Sequence, residues 1–228
     1  MDGNRMDGPE DRPLVGISRC LLGEKVRFDG GHKLDRYLTD TLGAFVEFAP
    51  VCPEVECGLP VPRPSLRLVG DPEAPRLVMP KTGEDHTERM QAWGKDAVER
   101  LAALPLCGFI FKSKSPSSGL LRVKVYPEEG GMPQPGGTGV FARMLTERLP
   151  LLPAEEDGRL HDPGLRENFF TRVFTLFRWR SEMPKPEAPA ALGALVAFHS
   201  AHKLLLMAHH NETYRSLVSR EYDVDSVD

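Results

Sequence analysis

Three short apolar runs stand out along the chain, and each of them ends in a turn that carries polar or sulfur-containing side chains. The runs are Leu14–Ser18, Phe45–Val51 and Gly108–Phe111. An apolar run of this length, bounded by turn residues, predicts a buried strand. Parallel strands of an open α/β sheet end at one edge, and ligands bind in the crevice outside that edge. If the three strands are parallel neighbours, we therefore expect their turns to converge on one site.

Other segments show helical or alternating spacing. We expect a helix from Asp85 or Thr87 to about Leu104, a further strand over Arg122–Tyr126, and helices over Leu34–Leu42, Val140–Arg148 and Leu165–Arg180. The prolines that follow Cys52 favour an extended chain rather than a helix.

This order of elements predicts an α/β fold, a Rossmann-like parallel sheet with flanking helices, over residues 14–180. Residues 1–13 are polar and rich in Asp, Gly and Pro, which is typical of a disordered tail. Residues 181–189 have the composition of a linker. Residues 190–228 begin with one long helical pattern that cannot form a core alone. We interpret it as a helix that packs on the first domain or as the first helix of a truncated C-terminal helical domain.

Composition narrows the functional classes. The chain has 228 residues, a net charge of −4 and 27% charged residues, so it lacks the global positive charge of a nucleic-acid-binding protein, although a local basic patch is compatible with it. No apolar run approaches the roughly 20 residues that span a membrane. The N-terminal segment has no apolar stretch typical of a signal peptide. These features predict a cytoplasmic protein without a membrane partner.

Four cysteines are candidate ligands or core residues. Cys20 and Cys52 follow the first two strands, where thiolates could bind an iron–sulfur cluster, Zn or Cu(I), or could simply be small buried side chains. Cys57 is close enough in sequence to reach the same crevice. Cys107 opens the third strand, so it lies at the opposite end of the sheet and belongs to the core. The spacing matches no zinc-ribbon pattern.

Polar residues near these turns are candidates for catalysis and binding. Glu54 could act as a general acid or base if burial raises its pKa, or it could be a surface carboxylate. The turn after the third strand supplies three serines that could bind a substrate or cap a helix, and two lysines that could neutralise phosphate or be solvated: Ser115, Ser117, Ser118, Lys112 and Lys114.

Several motifs in this order resemble the thiouracil desulfidase family. They are the segments 18–33 (SRCLLGEKVRFDGGHK), 51–63 (VCPEVECGLPVPR) and 112–119 (KSKSPSSG). The segments 153–160 and 165–170 resemble the longer members of the family, which carry an added C-terminal helical domain, and residues 197–210 resemble the first helix of that domain.

The resemblance implies a [4Fe–4S] cluster held by three cysteines, with an open iron that takes the sulfur of a thiolated uracil without net redox change. The long form resembles enzymes that convert 4-thiouridine in tRNA to uridine. By position, Cys20 and Cys52 match ligands, and Glu54 and Ser115 match the acid/base and substrate-orienting residues. We further expect four residues to contact the substrate: Lys112, Lys114, Ser117 and Arg63.

One position departs from the family pattern, which has cysteine where this chain has Ser118. A serine hydroxyl stays protonated at neutral pH and is a poorer iron ligand than a thiolate. Either the third ligand is lost, naturally or by engineering, or Ser118 or Cys57 supplies it. A rival hypothesis is therefore a non-catalytic module that binds a nucleotide or RNA and has lost its cluster.

Overall fold

Nine strands and four α-helices make up the computed structural model, which describes residues 12–182, 193, 194 and 196–202. The strands are β1 (Leu14–Ser18), β2 (Glu47–Val51), β3 (Arg67–Val69), β4 (Arg76–Met79), β5 (Glu84–Asp85), β6 (Leu106–Phe111), β7 (Val123–Tyr126), β8 (Gln134–Gly137) and β9 (Ala154–Glu156). The helices are α1 (Pro53–Glu56), α2 (Thr87–Ala102), α3 (Val140–Arg148) and α4 (Pro163–Glu182).

The main sheet is parallel throughout and has the strand order β2-β1-β6-β9. Strand β1 lies at its centre, pairing with β2 from Leu14 opposite Glu47 to Ser18 opposite Val51. Its other edge pairs with β6. The predicted α/β fold, with three parallel neighbouring strands, is confirmed. The carboxyl ends of these strands, and the turns that follow them, therefore lie at one edge.

A second sheet was not predicted. Its strand order is β5-β4-β3-β7-β8, with β3 and β7 parallel and the other pairs antiparallel. The strand expected over Arg122–Tyr126 forms as β7, but it belongs to this sheet. Three of its strands have only two to four residues and carry charged or glycine-rich sequence, so no apolar run marked them.

The helices follow the apolar spacing, with two local exceptions. α2, α3 and α4 lie within two residues of the predicted bounds. The stretch after Cys52 begins with the short helix α1 rather than an extended chain, because proline is compatible with the first helical position. In place of a helix over Leu34–Leu42 there is a π-helical turn, Tyr37–Thr41, followed by a 3₁₀ turn, Leu42–Ala44. Oδ1 of Asp35 accepts hydrogen bonds from the backbone N–H groups of Tyr37 and Leu38, at the start of this segment.

An aromatic cluster fills the space between the main sheet and the helices. The rings of Phe109 and Phe111 on β6 lie 4.3 Å apart, and Phe141 of α3 packs edge-on against both. Trp93 of α2 contacts Phe141 at 5.4 Å. Cys107 is buried in the same strand, β6, as its position in the sequence predicted. This packing fixes β6, and with it the position of the turn that follows.

The chain divides into two compact units, residues 1–169 and 170–228, at a boundary inside α4. The predicted linker lies mostly outside the described residues, as does most of the predicted C-terminal helix. Both stay predictions, together with the disordered tail at residues 1–13. Among the helices that the structure describes, none is long and apolar enough to cross a membrane.

Candidate active site

The turns after β1, β2 and β6 line a single cavity of about 300 Å³. Its wall includes nine of the residues singled out in the sequence: Cys20, Cys52, Glu54, Arg63, Lys112, Lys114, Ser115, Ser117 and Ser118. The backbone N–H of Lys112 donates a 2.9 Å hydrogen bond to the hydroxyl of Ser18. This bond joins the exits of β1 and β6, so the first and third turns face the cavity side by side.

The turn over residues 112–119 is held by backbone hydrogen bonds and close packing. The Gly119 N–H donates to the Ser115 carbonyl and the Gly139 N–H to the Gly119 carbonyl, both at 2.7 Å. A Cβ atom at Gly139 would lie 2.6 Å from the backbone of Ser117, so only glycine permits this approach. The start of α3 therefore packs directly beneath the serines.

Cys20 and Cys52 enter the cavity from neighbouring turns. Cys20 lies in a 3₁₀ turn, Arg19–Leu22, and Cys52 lies between β2 and α1. Burial raises the pKa of Cys20 to about 11, although the nearby Lys112 ammonium acts in the opposite direction. Burial also raises the pKa of the Cys52 thiol. Both thiols are therefore protonated at neutral pH when no metal is bound, and a metal must displace their protons.

Ser118 supplies the third side chain at the position expected for a ligand. It is 4% exposed and lines the cavity. Its backbone N–H donates to the Ser115 hydroxyl at 3.2 Å, whereas its own hydroxyl has no hydrogen-bond partner among the described residues. Cys57 packs against the hydrophobic core, donates its thiol hydrogen to the Glu54 carbonyl and does not line the cavity. The geometry thus places Ser118, rather than Cys57, beside the two thiols.

Glu54 is held by a buried arginine. The Nε and Nη2 atoms of Arg63 donate to Oε2 of Glu54 at 3.0 and 2.5 Å. The Arg63 side chain is 2% exposed and also donates to the carbonyls of Pro60 and Val26. Arg63 was expected to contact the substrate, but most of its donors are used within the protein. Its place in the structure is that of a residue that fixes Glu54.

Two serines extend this network toward the middle of the turn. The Ser117 hydroxyl donates to Oε1 of Glu54 at 2.8 Å. The hydroxyls of Ser115 and Ser117 lie 3.0 Å apart, and either can donate to the other. Ser117 is 1% exposed, whereas Ser115 is half-buried. The hydroxyls and Glu54 therefore form a continuous chain of hydrogen bonds along one wall.

The two lysines of the turn differ in their surroundings. The Lys112 ammonium is half-buried and forms an ion pair with Asp157 at 2.9 Å. Burial alone would raise the pKa of Asp157, but hydrogen bonds from the Ser113 amide and Lys112 overcome this effect and lower it. Lys114 is exposed and lines the cavity rim without an ion pair in the described part of the chain.

Sequence reasoning missed the contribution of β9. Oε1 of Glu156 accepts hydrogen bonds from the N–H groups of Leu120 and Leu121 at 2.8 and 3.1 Å. Asp157 binds the Ser113 N–H at 2.7 Å. Together they hold both ends of the turn over residues 112–119. The available signal was a run of three consecutive carboxylates, Glu155–Asp157.

Comparisons with known proteins agree with this geometry. The family model described as 2-thiouracil desulfurase matches residues 15–157. A solved structure of the [4Fe–4S]-dependent thiouracil desulfidase TudS is similar, with 27% sequence identity and a TM-score of 0.54. The alignment covers 68% of this chain and 96% of TudS. No curated protein matches the sequence.

The match includes every residue that lines the cavity, from Ser18 to Ser118, and it extends over more than half of the chain. The chain therefore belongs to the 2-thiouracil desulfurase family, whose enzymes cleave a carbon–sulfur bond.

Proposed function

We propose that this protein uses a [4Fe–4S] cluster to remove sulfur from a thiolated uracil, and that its substrate is 4-thiouridine in tRNA, which it converts to uridine. The observation that carries the proposal is the single cavity that two thiols and a fixed carboxylate share. The reaction exchanges the sulfur of a C=S bond for the oxygen of water and releases hydrogen sulfide, so it needs no electron donor or acceptor.

The donor atoms fit a cluster with two thiolates and one oxygen. Cys20 and Cys52 supply thiols, and Ser118, a buried residue, supplies a hydroxyl that has no hydrogen-bond partner in the described structure. Among the described residues, no three Cys, His, Asp or Glu side chains form a metal site, so a third protein ligand must be of another type. When bound, a [4Fe–4S] cluster supplies an open iron that accepts the sulfur of the substrate.

Glu54 is placed to move the protons of the reaction. Arg63 holds Oε2, which leaves Oε1 for proton transfer through Ser117. A proton released by water near Ser115 can reach Glu54 by way of the two serine hydroxyls, since consecutive oxygens are 3.0 and 2.8 Å apart. Proton transfer of this kind contributes about 10²–10⁴-fold to a rate. Ser115, at the open end of the chain, can also orient the uracil ring.

The proposal of a tRNA substrate rests on the motifs of the long family members and on cations beside the cavity. Lys114 lies at the rim, where it can meet a phosphate of the substrate. The four cysteines are free thiols in the structure, which agrees with the cytoplasm as the location of a tRNA-modifying enzyme.

The direct test is anaerobic purification followed by cluster reconstitution and turnover assays. We expect iron and sulfide to bind together with a visible absorbance, and hydrogen sulfide to be released from free thiouracil, 4-thiouridine and tRNA that contains 4-thiouridine. The tRNA should have the highest kcat/KM. A loaded protein that releases no sulfide from any of these compounds would refute the proposal.

The serine at position 118 supports an alternative function. If the chain takes up no cluster even after reconstitution, yet binds uracil nucleotides or RNA, it is a non-catalytic binding module. The poor affinity of a serine hydroxyl for iron is the observation that favours this alternative.

A further inference from the structure

A second groove, of about 380 Å³, adjoins the cavity. The exposed side chains of β3 and β7 line it, together with the turn that leads from β6 to β7. We define this basic groove by its polar lining residues Arg67, Lys114, Arg122, Lys124 and Tyr126.

The groove is strongly and uniformly positive. Four of its lining side chains are cations, and no Asp or Glu lines it. Within the described part of the chain none of the four forms an ion pair, and Arg67 instead lies over the Tyr126 ring at 4.6 Å. On the same sheet, by contrast, Arg76 pairs with both Asp85 and Glu128. In a chain of net charge −4, four uncompensated cations in one groove create a local site for a polyanion.

The groove and the cavity are neighbours that share part of their walls. Lys114 and Pro116 line both of them. Lys114 and Arg122 are also the only non-glycine residues with positive φ in the described structure, at 61° and 52°. Such conformations cost energy and cluster at functional sites. Both residues line the groove with their cationic side chains, and Lys114 also lines the cavity.

We propose that the basic groove binds the phosphodiester backbone of a polynucleotide whose thiolated nucleotide occupies the cavity. The cations are spread over two strands and a turn, which suits consecutive phosphates better than a single phosphate. The half-buried ring of Tyr126 lines the same groove with Arg67 over it at 4.6 Å, and aromatic rings beside cations are typical of sites that bind single-stranded nucleic acids. This inference rests on the proposed function, since it assumes that the target base is part of RNA.

The test compares the double variant R122Q/K124Q with the matched variant K95Q/R100Q. Both variants lose two exposed cations, and Lys95 and Arg100 lie on α2, away from the groove. The probe is a fluorescein-labelled single-stranded RNA with one 4-thiouridine. We expect the groove variant to bind it about tenfold more weakly at moderate salt, and the slope of log K against log salt to fall by about 1.4, as for two lost phosphate contacts. The control should match the parent.

Turnover assays distinguish a failure of this inference from a failure of the proposed function. The groove variant should keep the parental rate on free thiouracil and the parental cluster absorbance, and lose kcat/KM on the RNA. If the double variant does not fold, K124Q alone should show half of the slope change. Equal affinity and slope for groove and control variants, or no RNA binding by the parent, would overturn the inference even if free thiouracil is desulfurated. Salt-sensitive RNA binding by a cluster-loaded protein that releases no sulfide from free thiouracil, 4-thiouridine or the RNA would instead refute the proposed function alone.

Discussion

The Ser117 hydroxyl donates a 2.8 Å hydrogen bond to Oε1 of Glu54, although 63 residues separate the two along the chain. The bond joins the turn after β6 to the helix after β2, and Arg63 closes it from the other side. Glu54 is thus oriented by side chains from two other segments of the chain. Because these contacts are known, substitutions at Glu54 and its partners can test the role of the carboxylate in catalysis separately from its role in folding.

Replacing Glu54 by glutamine should abolish most desulfidase turnover. The amide oxygen of the new side chain can still accept a hydrogen bond from Ser117 or Arg63, but the amide cannot take up a proton, so we expect a loss of about 10²–10⁴-fold in kcat. Cluster absorbance should stay near the parental value, whereas the melting temperature should fall, because the variant leaves the buried Arg63 guanidinium without its counterion. Glu56→Gln is the matched control, since its amide oxygen can still accept from the Cys52 N–H. Near-parental turnover of E54Q would remove Glu54 from the mechanism.

The two serines should differ in their effects on turnover. Ser117→Ala breaks the chain of hydroxyls next to Glu54, so its turnover should approach that of E54Q. Ser115→Ala removes only the open end, where water can replace the hydroxyl, and should lose a smaller factor. Single-turnover assays on free thiouracil measure both, with the exposed Ser65→Ala as the control. A larger loss in S115A than in S117A would contradict the proposed proton path.

Ser118→Cys should increase cluster occupancy. A third thiolate binds iron more strongly than a hydroxyl, and the backbone at this position already permits a cysteine-sized side chain. Iron and acid-labile sulfide per chain, measured after anaerobic reconstitution, should rise above the parental values. Ser113→Cys, in the same turn, provides the control for a thiol at another position. If S118C binds no more iron than the parent, the three-turn ligand set is wrong.

Arg63→Met should destabilise the protein. The Arg63 side chain is 2% exposed and that of Glu54 14%, so the variant leaves a largely buried carboxylate without its counterion. Removal of one partner of such a pair costs about 3–5 kcal/mol in the free energy of unfolding. Urea denaturation measures the loss, and the double variant R63M/E54Q should recover part of it. No recovery would mean that Arg63 acts through its contacts with Val26 and Pro60 rather than through Glu54.

The ion pair between Asp157 and Lys112 should make the free energy of unfolding depend on pH in the acidic range. Because the folded-state pKa of Asp157 is lowered, its contribution is complete above the unfolded value of about 3.9 and is lost as the pH falls through the folded value. The difference in unfolding free energy between the parent and D157N should therefore be constant from pH 7 to about pH 5 and shrink below about pH 4. Asp96→Asn on the exposed face of α2 should show no such change. A difference that grows in acid would refute this interpretation.

Local sequence was sufficient to predict the frame of the site. Apolar runs marked β1, β2 and β6, and the rule that parallel strands share an edge brought Cys20, Cys52 and Ser118 to one cavity. These inferences worked because each depends on a few consecutive residues and on a general property of parallel sheets.

The partners of the site residues could not be predicted in the same way. Arg63 was predicted to contact the substrate, and it does line the cavity, but only the fold shows that its side chain is buried against Glu54. Asp157 contacts Lys112 across 45 residues, and no local pattern carries that pairing. The second sheet has short strands with charged outer faces, so the basic groove was visible only as scattered cations.

The hydrogen bonds that stabilise the turn over residues 112–119 do not involve the side chain of Ser118. Gly119, Gly139 and Glu156 fix the backbone, and the Ser118 hydroxyl takes no part in that fixation. A point mutation that exchanges serine and cysteine there would alter the metal chemistry and leave the scaffold intact. We therefore expect residue 118 to tolerate either serine or cysteine without misfolding, so that one substitution can change the proposed ligand set while the fold persists.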